Sequence, residues 1–425
     1  MTLKTTAQSR AKHHLPDFLL GISPILLAAQ LMGWLTFFPS ALHGHADFRQ
    51  LYAAGYMVRT GHASELYNYR AQQTFQDTLV GNDEPALPFI RPAYQALLFV
   101  PFSLLPYRTA YLAFLALNLV LLAIAFRLLR STMENLARVW RGLPVLVFLV
   151  FYPIALALMQ GQDSILLLAL LAAALVSVDH GRNLTAGILV GLGLFKMQIV
   201  VPIALLFLLW KRWRFFAGFA LSGGLVSLIS VWVVGVTPTS AYARSLFSVG
   251  AGLAAGASDF KVPLRVRIMA NLRGLIFGLI GGRLPAFWIQ ALTLVVSIIV
   301  LLWVARSAPP KLAETDALAI AITASVIVSY YLFMHDLSVL MIPIVITLNR
   351  FIDADTTSSV LDRVTAWMSA AVLVAPMCIF VIPGHFYLAA LPLSAFIVML
   401  MWSFRSALPT RSSVTNRSVP PVVNS

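Results

Sequence analysis

The chain has 425 residues, of which 60% are hydrophobic and only 11% charged, with a formal net charge of +14. Soluble domains carry about 25% charged residues, so this composition excludes a soluble globule. In a soluble protein such a positive balance would suggest nucleic acid. Here it fits cytoplasmic anchoring and contact with anionic lipid or phosphate groups, and no nucleic-acid partner is expected.

Apolar runs begin at residues 18–38 and recur at 107–126, 142–159, 162–178, 184–195, 199–210, 215–236, 285–305, 316–333, 337–348, 365–382 and 386–404, of which 184–195 and 199–210 are short enough that either could be a half-span. Runs of about 20 apolar residues match a bilayer core of about 30 Å. Strands that cross membranes alternate polar and apolar side chains, and these runs do not. The expected fold is an all-α polytopic membrane protein of about twelve spans. One integral membrane domain covers residues 1–405, with a disordered cytoplasmic tail over 406–425. Lys4, Arg10 and Lys12 precede a first run too long for a signal-peptide core and without a small-x-small cleavage site, which makes it an uncleaved span. The single cysteine, Cys378, excludes an intrachain disulfide.

With the basic N-terminus inside, the cytoplasmic side receives Arg127, Arg130, Arg138 and Arg141, then Lys211, Arg212 and Arg214, then Arg306 and Lys311, then Arg350 and Arg363. That distribution follows the positive-inside rule. The stretch 92–106 is interrupted by Pro101 and short for a span. Counting it as one would move four arginines outside, so it is expected to be re-entrant or interfacial. Two long outer loops result, 39–106 and 237–284. In the first, Phe48, Leu51, Tyr52, Gly55 and Tyr56 at helical spacing predict an amphipathic helix ending near Gly61, and a second helix over 70–80 stopped by Gly81.

The outer face then collects polar residues at span ends: Asp47 and Arg49, Arg91, Gln160 to Asp163, Lys196 to Gln198, Asn271 to Gly274, and His335-Asp336. Span interiors hold no ionisable residue of the kind that ion-coupled transporters need near mid-membrane. A carboxylate at the membrane surface suits a general base, which makes Asp47 the catalytic candidate. The second outer loop is basic, and arginine and lysine bind phosphate well. Arg273, Lys196, Arg265 and Arg267 are therefore the candidates for a donor phosphate. Arg49, Arg91, Gln160, Gln162, Asn271, His335 and Asp336 are candidates for the substrate.

In its order of motifs the chain resembles the GT-C membrane glycosyltransferases. Within them it resembles glycosyltransferase family 87, the polyprenol-phosphate-mannose-dependent mannosyltransferase type. The matching pieces are Asp47-Phe48 with Tyr52-Ala53-Ala54, Gly61 and Leu66-Tyr67; the Pro-rich run 88–106; Gly161-Gln162; Ala186 to Gly191 leading to Lys196 and Gln198; Asn271 to Gly274; and His335-Asp336-Leu337. Together they cover about residues 18–405. Four positions depart from the family pattern: Arg91 stands for an aromatic, Ala93 for a proline, Ser164 for an asparagine and Met197 for a proline. The resemblance implies inverting transfer of a mannose-like sugar from a polyprenyl phosphate donor to a lipid or glycan acceptor. It implies an extracytoplasmic site in the inner (plasma) membrane, with Asp47 as base.

No nucleotide-binding fingerprint appears, so a lipid-linked donor is expected, with no cofactor and no metal. Blander roles compete at each position. Asp47 is a good helix N-cap, and His43, His45 and Asp47 could converge on a metal. Gln160, Gln162 and Asp163 could cap spans, Lys196 could snorkel to the head groups, and the basic loop could touch anionic lipid. At the level of function the rivals are a transporter or flippase for a lipid-linked sugar, and a ligase moving a whole oligosaccharide.

Overall fold

The computed structural model describes residues 14–81, 85–250, 266–309, 312–352 and 360–406. Lys4, Arg10, Lys12, Lys261, Arg265, Lys311 and the tail from 407 lie outside the described residues. Those described form helices and turns with no β-strand, as the apolar runs require. Eight helical runs among them are long and apolar enough to cross a membrane. Ser164–Asp179 and Glu314–Val328 are shorter.

The expected run 142–159 is split. Leu143–Val150 and Tyr152–Met159 meet at Phe151, whose backbone is extended (φ −77°, ψ 96°). Pro153, just inside the second piece, has no N–H to continue the ladder. The break exposes the Val150 carbonyl, and buried Gln30 from the first helix donates to it at 2.7 Å.

The run Asn183–Leu209 is continuous in hydropathy but reverses direction. Asn183 Nδ2 and Arg212 Nη1 both reach Glu314 Oε1, at 3.5 and 2.5 Å, so the start of Asn183–Leu192 and the residues after Met197–Leu209 share one end of the bundle. The reversal falls on Gly193–Lys196, where Lys196 leaves helical geometry (φ −118°, ψ 56°). Asn183–Leu192 runs parallel to Trp213–Val234, with Ser222 Oγ donating to Ile188 O at 2.9 Å. Their backbones nearly touch: a Cβ on Gly187 would lie 1.9 Å from Phe215 O. The glycines spaced by four here serve helix packing.

Glu314 marks one end of the bundle, with Asp316–Arg350 at 2.7 Å and Asn135 N donating to Asn349 Oδ1 at 2.7 Å beside it. At the other end lies the first outer loop. Its two expected helices are present as Phe48–Arg59 and Tyr69–Val80, the second stopped at Gly81 with φ +67°. The stretch expected to be re-entrant holds the six-residue helix Tyr94–Phe99, far too short to span. These pieces share a separate apolar core around Phe48, whose ring neighbours are Tyr52, Phe99, Phe102, Tyr107, Tyr111 and Phe114.

Candidate active site

Asp47 stands at the start of Phe48–Arg59, yet its side chain makes no capping bond. It is held instead by the turn 160–163. Asp47 N donates to Gln160 Oε1 at 3.0 Å, Phe48 N donates to Gln160 O at 2.9 Å, and Gln162 Nε2 donates to Asp47 Oδ2 at 2.7 Å. The turn comes this close because residue 161 is glycine. Its φ is +57°, and a Cβ there would sit 2.8 Å from Phe48 Cβ.

Asp163 occupies an N-cap position with no capping bond either. Its carboxylate accepts from Arg91 Nη1 and Gln95 Nε2 and lies 3.3 Å from Lys196 Nζ. Lys196 in turn lies 2.6 Å from Asp336 Oδ1. Asp336 also accepts from Ser164 Oγ and from Phe333 N, both at 3.0 Å. His335 then closes the circuit, with Nε2 3.5 Å from Asp336 Oδ1 and Nδ1 3.9 Å from Asp47 Oδ2. Arg91 closes it on the other side by donating to Gln162 Oε1 at 3.0 Å.

The result is a ring of Asp47, Gln162, Arg91, Asp163, Lys196, Asp336 and His335. Three carboxylates face two fixed cations and a histidine, an arrangement that keeps each buried charge paired. Within it Asp47 is 30% exposed, against 1% for Asp163 and Asp336 and 4% for Lys196. The turn of Lys196 is secured from outside the ring: the Tyr94 hydroxyl donates to Leu192 O at 2.9 Å and accepts from Phe195 N at 2.8 Å.

Arg273 lies beyond the ring. Its Nη1 donates to Tyr330 O at 2.8 Å, and the guanidinium sits 4.0 Å over the Tyr330 ring. Burial lowers its pKa from the ordinary value, while Tyr330 and Tyr331 beside it act the other way. Asn271 caps the helix Leu272–Ile280 through Gly274 N and donates from Nδ2 to Ser329 O at 2.6 Å.

Of the residues expected at the site, Asp47, Arg91, Gln160, Gln162, Lys196, His335 and Asp336 are brought together. Arg273 and Asn271 form the adjoining wall. Arg49 turns away: its buried guanidinium donates to Pro85 O at 3.0 Å, within the outer-loop packing. Arg267 is exposed on a short turn, and Arg265 lies outside the described residues. His43 Nδ1 pairs with the Pro39 carbonyl of its own turn at 2.7 Å. Among the described residues no three of His, Cys, Asp and Glu are grouped to hold a metal. Gln95 and Tyr331, which nothing in the sequence pointed to, belong to the site, as do Asp163, collected at the outer face but not among the site candidates, and Ser164, noted only as a departure from the family pattern. An Asp opening an apolar helix reads as a cap, and nothing local in the sequence reveals partners as distant as Arg91 and Lys196.

The fold is that of a helical membrane protein, and the ring of charged side chains at one end of its bundle has one markedly exposed carboxylate, Asp47. The chain belongs to glycosyltransferase family 87, whose sequence model matches residues 89–329, and it is accordingly a membrane glycosyltransferase. The match includes Arg91, Asp163, Lys196 and Arg273; Asp47 precedes it and His335-Asp336 follow it. No curated protein and no solved structure matches the chain.

Proposed function

We propose that the protein transfers a sugar, mannose-like, from a polyprenyl phosphate donor to a hydroxyl of a lipid or glycan acceptor, with inversion, on the extracytoplasmic face of the inner (plasma) membrane. The observation that carries this reading is the unequal exposure around the ring: Asp47 is the carboxylate open to solvent, while its carboxylate neighbours are sealed and ion-paired.

In the reaction, Asp47 takes the proton of the acceptor hydroxyl as that oxygen bonds to the anomeric carbon. The bond from that carbon to the phosphate oxygen breaks on the opposite face, and its electron pair leaves with the polyprenyl phosphate. One displacement inverts the anomeric centre. Arg273 meets the phosphate as its charge grows, which stabilises the transition state more than the ground state. Lys196, lying between Asp163 and Asp336, holds those two carboxylates and through Asp336 orients His335 against Asp47. Gln162 fixes the unused oxygen of Asp47, leaving the other for the incoming proton.

The test uses purified protein in detergent, a polyprenyl phosphate sugar of defined anomeric configuration, and a set of lipid acceptors. Transfer with the opposite anomeric configuration is expected. Retention would remove the single displacement. No transfer in detergent, with movement of the donor across sealed vesicles, would make the protein a transporter instead.

A further inference from the structure

A transferred sugar has to lie between the base and the phosphate, and residues 329–333 run through that interval. At its start the segment is tied to the second outer loop, through Asn271 to Ser329 O at 2.6 Å and Arg273 to Tyr330 O at 2.8 Å. At its far end it is tied to the charged ring. Phe333 N donates to Asp336 Oδ2 at 3.0 Å, and the Phe333 and His335 rings lie 5.6 Å apart.

Tyr331 sits between these anchors. Its carbonyl accepts from Ser329 Oγ at 3.0 Å, and its ring stands edge-on to Phe333 at 4.8 Å. These two contacts fix the ring without engaging the phenol. The side chain is half-buried, and among the described residues its hydroxyl has no hydrogen-bond partner. Phe333, against which its ring stands, in turn packs on His335 of the charged ring, and Asp336, Asp47, Arg91 and Arg273 all act on the phenol electrostatically. Burial first, then Asp336 and Asp47, push the phenol above its ordinary value. It therefore stays neutral and can donate.

A half-buried phenol held this way, with no protein partner, gains one when a polyol enters. We infer that the Tyr331 hydroxyl hydrogen-bonds one hydroxyl of the sugar being transferred, which makes Tyr331 a residue that selects the donor sugar. The inference rests on the donor-to-acceptor reading above. A site built to bond a substrate hydroxyl discriminates against the analogue lacking it, because the site's own polar group is then left unpaired.

The experiment compares wild type and Tyr331→Phe on the intact polyprenyl phosphate sugar and on a series of donors each lacking one sugar hydroxyl, with kcat/KM as the readout. In the wild type one deoxy donor should fall about tenfold or more, the worth of a hydrogen bond. Tyr331→Phe should lose a similar factor on the intact donor and lose nothing further on that one deoxy donor. A merely structural role would depress every donor alike. Wild-type kcat/KM in Tyr331→Phe, or losses that multiply equally across the whole series, would overturn the inference while leaving the function in place. A wild type inactive on every polyprenyl phosphate sugar would instead bring down the underlying function, and this role with it.

Discussion

Asp163 is heavily committed within the site, since Arg91, Gln95 and Lys196 all converge on a carboxylate that is 1% exposed. Removing one partner from a buried ion pair costs about 3–5 kcal/mol, because the remaining charge stays buried without compensation. Asp163→Asn keeps the shape and removes the charge, so its thermal unfolding midpoint in detergent should fall by several degrees. A midpoint equal to wild type would mean that the ring contributes no stability. Residues of this kind are the hardest to read in a sequence. Asp47 could be found because it stands alone where a span ends, whereas Asp163 opens an apolar helix and looks like a cap. Arg49 illustrates the opposite error. It lies two residues from Asp47 and is expected in the same cavity, but two residues turn a helix by about 200°, which directs it to the Pro85 carbonyl.

At the scale of elements, apolar length and glycine placement made most of the helices legible, including Tyr69–Val80 with its stop at Gly81 and the reversal at Lys196. The break at Phe151 was not legible, because the apolar run continues across it without change and only Pro153 marks it. Its consequence sits in another helix. Gln30 supplies the hydrogen bond that the broken ladder no longer gives to Val150. A buried carbonyl left without a partner costs about 1–3 kcal/mol, so Gln30→Leu should destabilise the protein by that much although it places an apolar side chain in an apolar helix. Thermal or denaturant unfolding in detergent measures it, and equal or higher stability would contradict the assignment.

The turn 160–163 links element to site. Gly161 permits the approach of Phe48, and Phe48 is anchored among six aromatic rings. Gly161→Ala adds a methyl group where only 2.8 Å is available and strains a backbone at φ +57°. Turnover should drop at least about tenfold, as small misplacements of a catalytic group do, with donor KM nearly unchanged. Wild-type turnover would show that Asp47 does not depend on this turn for its position.

For the molecule as a whole, the two ends of the bundle differ in chemistry. One carries the ring around Asp47, and the other carries Arg212, Glu314, Asp316 and Arg350. The proposed placement of the ring on the extracytoplasmic side rests on the positive-inside bias of the sequence. In a background where Cys378 is replaced by alanine, Ser64→Cys should react with a membrane-impermeant maleimide on intact cells and Ser131→Cys should not; the reverse pattern would invert the topology. The most direct test of the account is the turnover of Asp47→Asn. The change keeps an oxygen for Gln162 and removes the base, and a general base supplies about 10²–10⁴ in rate. Single-turnover transfer from a bound polyprenyl phosphate sugar should therefore slow by at least about a hundredfold at unchanged donor affinity. Transfer at the wild-type rate would contradict the assignment of Asp47 and the reaction built on it.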